Sequence, residues 1–296
     1  MKKNFGGLRT LDLAVLFGIV VLMVLLGSFF DLSFAEKVYS PNSAYSQFFE
    51  YAGTFPASAV VASSGVLLDY YFRKVLHKSW IGTLLLVFIT LAVGAMWGYD
   101  TFHSLMKSVY AVLLGLPFLF LSNVFFYLTL KDADPSDFLR KAIVLLSAGL
   151  FVLLVTFGLK NLVVRPRFYA LKENLSGSLS AYFRPWWAFS RDKSGPLASF
   201  SSFELQSWPS GHSSFSALLF LGLAYSDVKT KDEKKKHLVL FLCILLWMLL
   251  TGFSRVVGGY HYLSDVGFGW FFGLLGVSLG FLIAYRPARK KEAKAA

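Results

Sequence analysis

Three short polar stretches in an otherwise apolar chain carry the residue types that could do chemistry. The first is Lys160-Asn-Leu-Val-Val-Arg165-Pro166-Arg167-Phe168, the second Pro209-Ser210-Gly211-His212, and the third Ser254-Arg255-Val-Val-Gly-Gly-Tyr-His261-Tyr-Leu-Ser-Asp265. Ionisable groups beside long apolar runs are costly to hold there and mark functional positions. Lys160, Arg167 and Arg255 offer three cations to one anionic group, and a guanidinium fork matches phosphate oxygens in a bidentate way. A phosphoryl group is the natural guest. Ser210 and Gly211 precede a predicted helix, whose free N–H groups and positive dipole end suit an anion, with the glycine permitting close backbone approach. His212 and His261 complete a reacting set in which one imidazole attacks phosphorus and the other protonates the leaving oxygen. Asp265 follows His261 by four residues. On a helix the two share a face, so the carboxylate can hold the tautomer that leaves the other ring nitrogen ready to attack.

The elements that must position these groups are membrane helices. Of the 296 residues 56% are hydrophobic and only 16% charged, too apolar a balance for a soluble domain of this size. A span needs about 20 apolar residues, and eight candidate segments are present, at 11–30, 55–72, 80–99, 109–130, 143–164, 213–225, 238–257 and 265–285. The sixth is short and begins inside the second polar stretch. The basic residues before position 10 precede an apolar run without a small-residue cleavage site, which predicts an uncleaved first helix. With that end in the cytoplasm, the basic stretches Arg73-Lys74, 131–141, 229–236 and 286–294 also fall inside. Roughly two thirds of the 29 Lys and Arg residues then lie on the inner side, as the positive-inside rule requires. The formal charge of +12 therefore reads as topology and not as nucleic-acid binding. Cys243, the single cysteine, excludes a disulfide framework and is expected to pack in the core. Asp69 is expected to cap or pair locally with Arg73. In the outer segment 165–208, the cluster Tyr182-Phe183-Arg184-Pro185-Trp186-Trp187 suits the headgroup layer, either as a loop resting on the interface or as one that recognises a headgroup.

All three polar stretches fall on the outer side in this topology, although charge alone assigned it. An isolated histidine at a span end can be merely interfacial, and an isolated arginine can snorkel; His77, His103 and His237 are read that way. The convergence of the three stretches favours chemistry. They resemble the motifs of the type-2 phosphatidic acid phosphatase superfamily, Lys-x6-Arg-Pro, Pro-Ser-Gly-His and Ser-Arg-x5-His-x3-Asp. The second and third match in full. The first matches at Lys160 and Arg167, with Phe168 in place of proline; a register on Arg165-Pro166 fails, because position 158 is then glycine. The resemblance implies His261 as nucleophile, His212 as general acid and Asp265 as the orienting carboxylate, with Lys160, Arg167, Ser210, Gly211 and Arg255 holding the phosphate. It implies no metal and no cofactor.

The expected fold is an all-α polytopic bundle of about eight spans, a six-span family core plus two extra N-terminal helices, with both termini cytoplasmic. The division is 1–142 for N-terminal membrane helices, 143–285 for the catalytic bundle including the outer loop 165–208, and 286–296 for a basic cytoplasmic tail. The expected function is hydrolysis of a membrane lipid phosphate or diphosphate at the outer face of a bacterial plasma membrane through a phosphohistidine. Isoprenoid diphosphate, phosphatidylglycerol phosphate, phosphatidate and lipid A phosphate are all open, with a slight lean to the isoprenoid carrier. The rivals are a headgroup transporter or flippase without hydrolysis, and a phosphotransferase or sugar phosphatase using the same site. Against a pure binder, cations alone would suffice, without two histidines and an aspartate. The expected partners are the lipid substrate and the bilayer, with no nucleic acid and no oligomeric state indicated.

Overall fold

The computed structural model describes residues 4–5, 8–102, 108–175, 179–225 and 230–295. A two-residue ladder, β1 (Asn4–Phe5) with β2 (Leu8–Arg9), precedes the first helix. The remaining regular structure among the described residues is helical. At 1.5 Å per residue, α1 (Thr10–Val38) exceeds the roughly 30 Å hydrocarbon layer and carries Asp31 beyond the middle of its length. Helix α2 (Ala44–Ala52), capped by Ser43, leads into α3 (Phe55–Lys74), which has a proline in its first turn. Helices α4 (Ser79–Phe102) and α5 (Ser108–Leu130) follow, then α6 (Phe138–Leu162) and the short α7 (Phe168–Asn174). Helix α8 (Gly211–Ala217) passes directly into a 3-10 stretch, Leu218–Tyr225. Helix α9 (Lys231–Val257) opens on a capping box between Thr230 and Glu233, and α10 (Leu263–Ala295) closes the chain.

Seven of these segments, with α2 and α3 taken together, are long and apolar enough to cross a membrane. The sixth expected span, 213–225, instead falls largely in a shorter apolar helix, Gly211–Leu223. Its residues are almost entirely buried by protein, so it needs no full membrane length of its own and is free to start at the level of the site. His103 lies outside the described residues.

Helix α10 packs against α1, α6 and α8. Apolar burial drives no association between helices inside lipid, so close approach of small residues must supply the packing energy. Toward α8 those residues are Gly269 and Gly273. A Cβ on Gly269 would lie 2.6 Å from the Ser210 carbonyl oxygen, and one on Gly273 would lie 2.6 Å from Ala217 Cβ and closer still to the Ser214 carbonyl. Because the obstacles include backbone, α8 itself would have to move. We expect Gly273→Val to destabilise the fold by about 1–3 kcal/mol, the usual cost of overpacking. Thermal unfolding in detergent checks this, and a melting curve matching the parent's would mean that the two helices separate freely.

At the end opposite the three polar stretches, Arg73 Nη2 lies 3.0 Å from Asp69 Oδ1, the local pair expected there. Burial bears on two other expectations. His237, read as interfacial, is fully buried by protein, and its Nε2 lies 3.0 Å from Asp12 Oδ2 on α1. Burying both partners of a potential ion pair avoids leaving either polar group unmatched. Cys243 is exposed on α9, on a face that also exposes Val239, Leu242 and Leu246, as a lipid-facing surface would.

Candidate active site

Each functional side chain is placed by the end of an element. Lys160 is in the last turn of α6, and its Nζ donates to the Gln206 carbonyl at 2.8 Å. Arg167 is the residue before α7; its Nε donates to the Phe203 carbonyl at 2.8 Å and its Nη2 reaches the Gln206 carbonyl at 3.4 Å. The two cations therefore share one acceptor. Phe168, the residue in the proline position, is buried against Tyr39 and Tyr262, so packing restrains the backbone there. Arg255, in the last turn of α9 and 2% exposed, lies over the Tyr260 ring at 4.2 Å, and Arg167 faces the same ring at 5.8 Å.

Ser210 caps α8, its Oγ accepting from Ser213 N, and its own N–H donates to the Asp265 carbonyl at 3.0 Å. A Cβ added to Gly211 would first meet Lys160 Cε and Thr156 Cγ2, both at 3.8 Å, which places Lys160 over the start of α8. In the first turn of that helix, His212 Nε2 lies 3.0 Å from the Glu50 carbonyl of α2. A carbonyl only accepts, so this nitrogen carries the hydrogen.

The third stretch turns sharply between α9 and α10. Gly259 has φ +73°, and any Cβ there would strike the Tyr39 ring, so the turn needs glycine. His261 follows it, 3% exposed. Asp265 is beside His261 but is not its nearest partner: Nδ1 lies 2.6 Å from the Ser207 carbonyl and 3.8 Å from Asp265 Oδ2. His261 precedes α10, so the helical spacing does not bring the two side chains into hydrogen-bond range. The Ser207 carbonyl accepts the Nδ1 hydrogen and leaves the Nε2 lone pair for chemistry. Burial holds His261 well below the ordinary imidazole range, with Lys160 and Arg167 pushing the same way and Asp265 opposing. The ring is thus neutral at physiological pH, as a nucleophile must be. Burial also lowers Arg167, to about 10, which leaves it cationic.

Sequence reasoning missed several groups here. Arg165, set aside on spacing, is 1% exposed and bridges Asp31 of α1 to Asp265. Ser207 Oγ donates to Asp265 Oδ2 at 2.6 Å. Glu50 stands 4.0 Å from Arg255. Asp31 could have been found, because a carboxylate inside an apolar helix is costly enough to demand a partner; Ser207 and Glu50 carry no such signal. The aromatic cluster of the outer loop is divided. Arg184 Nη1 is taken by the Val164 and Asp192 carbonyls, and Trp186 Nε1 by Ser28 Oγ, while Trp187 remains exposed. Among the described residues, no group of three or more His, Cys, Asp or Glu is placed to hold a metal ion.

What gathers here is a neutral buried imidazole, a second imidazole at a helix start and three cations. That set can bind a phosphoryl group, transfer it to nitrogen and protonate what leaves. The chain is 33% identical over 142 residues to the phosphatidylglycerophosphatase B of Bacillus subtilis, covering 47% of this chain and 64% of that protein. The match thus spans less than two thirds of the relative's length. No solved structure matches the chain. Residues 140–289, just over half of the chain, match the family model described as the PAP2 superfamily, and the chain belongs to that superfamily.

Proposed function

We propose that the protein is a phosphoric ester hydrolase of membrane lipids that works through a phosphohistidine. The observation that carries this is the gathering of Lys160 and Arg167 on the Gln206 carbonyl and of Arg167 and Arg255 on the Tyr260 ring, next to a buried His261 whose Nδ1 hydrogen is already committed to the Ser207 carbonyl. The cations and the Ser210-Gly211 turn hold the phosphate oxygens. His261 Nε2 attacks phosphorus, the bond to the lipid oxygen breaks, and His212 as imidazolium gives that oxygen its proton. Water then attacks the phosphohistidine, yields a proton to His212 and releases inorganic phosphate, which restores both rings. Charge on the transferring group is stabilised by fixed cations in a water-poor site, where such interactions are strong.

Phosphatidylglycerol phosphate moves to the head of the candidate substrates, ahead of isoprenoid diphosphate, on the name of the Bacillus relative. Phosphate release from a panel of lipid and soluble phosphates, with the purified full chain and excess EDTA, tests the reading. Hydrolysis of a lipid phosphate that chelator does not reduce is the expected result. A strict need for Mg²⁺ or inertness toward every lipid phosphate would overturn it.

The charge pattern supports an outward-facing site with the N-terminus inside. In a Cys243→Ser background, a cysteine at Ser194, exposed in the outer loop, should react with a membrane-impermeant thiol reagent in intact cells. One at Lys234, exposed at the start of α9, should not. Ser176, a second labelling position in the same loop, lies outside the described residues. The reverse labelling pattern would invert the topology and move the substrate to the inner leaflet.

A further inference from the structure

Helix α1 lies outside the segment that matches the family model, yet its Asp31 reaches the site. The approach is close because residue 27 is glycine: a Cβ there would stand 2.7 Å from Ser264 Cβ. The Asp31 carboxylate, 3% exposed, accepts from Arg165 Nη2 at 2.7 Å, from Ser264 N at 2.9 Å and from Ser264 Oγ. Arg165 turns its other nitrogen, Nη1, to Asp265 Oδ1 and to Ser264 Oγ, the latter at 2.9 Å. Asp265 also accepts from Ser207 Oγ at 2.6 Å and from Tyr262 N at 2.9 Å. Each of these neighbours donates to a carboxylate, which is the pattern of two ionised groups. One guanidinium between two carboxylates gives a buried trio with a net charge of minus one.

We propose that Asp31 is a positioning residue for the reaction, acting through Arg165: by sharing the guanidinium it leaves Asp265 with uncompensated negative charge facing His261. The inference rests on the phosphatase reading above. If Asp265 alone neutralised Arg165, the pair would present almost no net charge to the imidazole, while Lys160 and Arg167 both act on His261 as cations. When Nε2 bonds to phosphorus the ring becomes positive, and in a buried site that charge must be met locally. The trio meets it. Helix α1 is thus part of the working site and not only a membrane anchor.

The test uses the full chain in detergent or nanodiscs, with phosphate release from the lipid phosphate that the parent hydrolyses and kcat/KM followed against pH. Asp31→Asn should lower kcat roughly 10- to 100-fold with KM changed little, the sign of an interaction realised in the transition state. The acidic limb of kcat/KM, where His261 must lose its proton, should move to lower pH, since a neutral cluster stabilises imidazolium less. Arg165→Gln makes the cluster more negative and should move the limb to higher pH. In the double variant the charge returns to that of the parent, and the limb should return with it; Lys160 and Arg167 are unchanged throughout. Opposite shifts that cancel follow from shared charge and not from anchoring. If Arg165→Gln does not fold, the kcat and limb of Asp31→Asn decide alone. A folded Asp31→Asn protein with parental kcat and pH profile, or one that does not fold at all, overturns the inference in favour of a purely structural Asp31. A parent inert toward all lipid phosphates removes the phosphatase reading itself, a result distinct from either.

Discussion

Replacing His261 by Ala should reduce lipid phosphate hydrolysis by at least about 10⁴-fold, because removing a nucleophile removes the covalent route altogether. The protein should still fold. The space left is at the loop between α9 and α10, and the trio formed by Asp31, Arg165 and Asp265 keeps its own bonds. The cost should fall on kcat and not on KM, since Lys160, Arg167 and Arg255 still hold the phosphate. In the parent, the acidic limb of kcat/KM should lie below the ordinary imidazole pKa of about 6.5: attack requires the neutral ring, and burial favours that ring down to lower pH. Radiolabelled substrate quenched in base should leave phosphate on the parent chain and none on His261→Ala. Residual steady turnover within tenfold of the parent would remove His261 as nucleophile, and label on the variant would point to another acceptor.

The parts of this site that could be read from the chain are those written in local spacing. Pro209 to His212 opens one helix and Ser254 to Asp265 joins the end of one helix to the start of the next, so their side chains could be assigned to one side of the membrane from span counting and charge alone. The long helices were legible for a related reason, since an unbroken apolar run of this length has few other outcomes. What spacing could not show is contact between distant segments. Asp31 and Arg165 are more than a hundred residues apart in sequence and meet only because Gly27 lets α1 lie against Ser264. The nearest partner of His261 Nδ1 was not legible for the complementary reason. The four-residue spacing to Asp265 implied a helical face, but the turn at Gly259 sets His261 just before α10 begins, within reach of the Ser207 carbonyl. The short helix α8 is a third case. Hydropathy registers an apolar run of any environment, and only packing against α3, α6, α9 and α10 shows that this one is covered by protein.

Replacing His212 by Gln should separate the two halves of the reaction. The ring sits in the first turn of α8 with Nε2 hydrogen-bonded to the Glu50 carbonyl, and its proposed role is to move protons, not to bond phosphorus. For a lipid alcohol as leaving group, whose oxygen cannot depart as an anion, loss of the acid should lower kcat/KM by about 10²–10⁴-fold. For an aryl phosphate such as p-nitrophenyl phosphate the departing phenolate needs no proton, so the first step should survive nearly intact. The second step should not. Water attack on the phosphohistidine still needs a base, and without His212 the intermediate should accumulate. The expected trace is a burst of nitrophenolate equal to the enzyme present, followed by slow turnover, with label retained on the protein until His261 is also replaced. Equal losses for alkyl and aryl phosphates, without a burst, would show that His212 only shapes the pocket and that the proton comes from elsewhere. Glu50 would then be the group to examine, because its carboxylate stands beside Arg255 while its carbonyl holds the His212 ring.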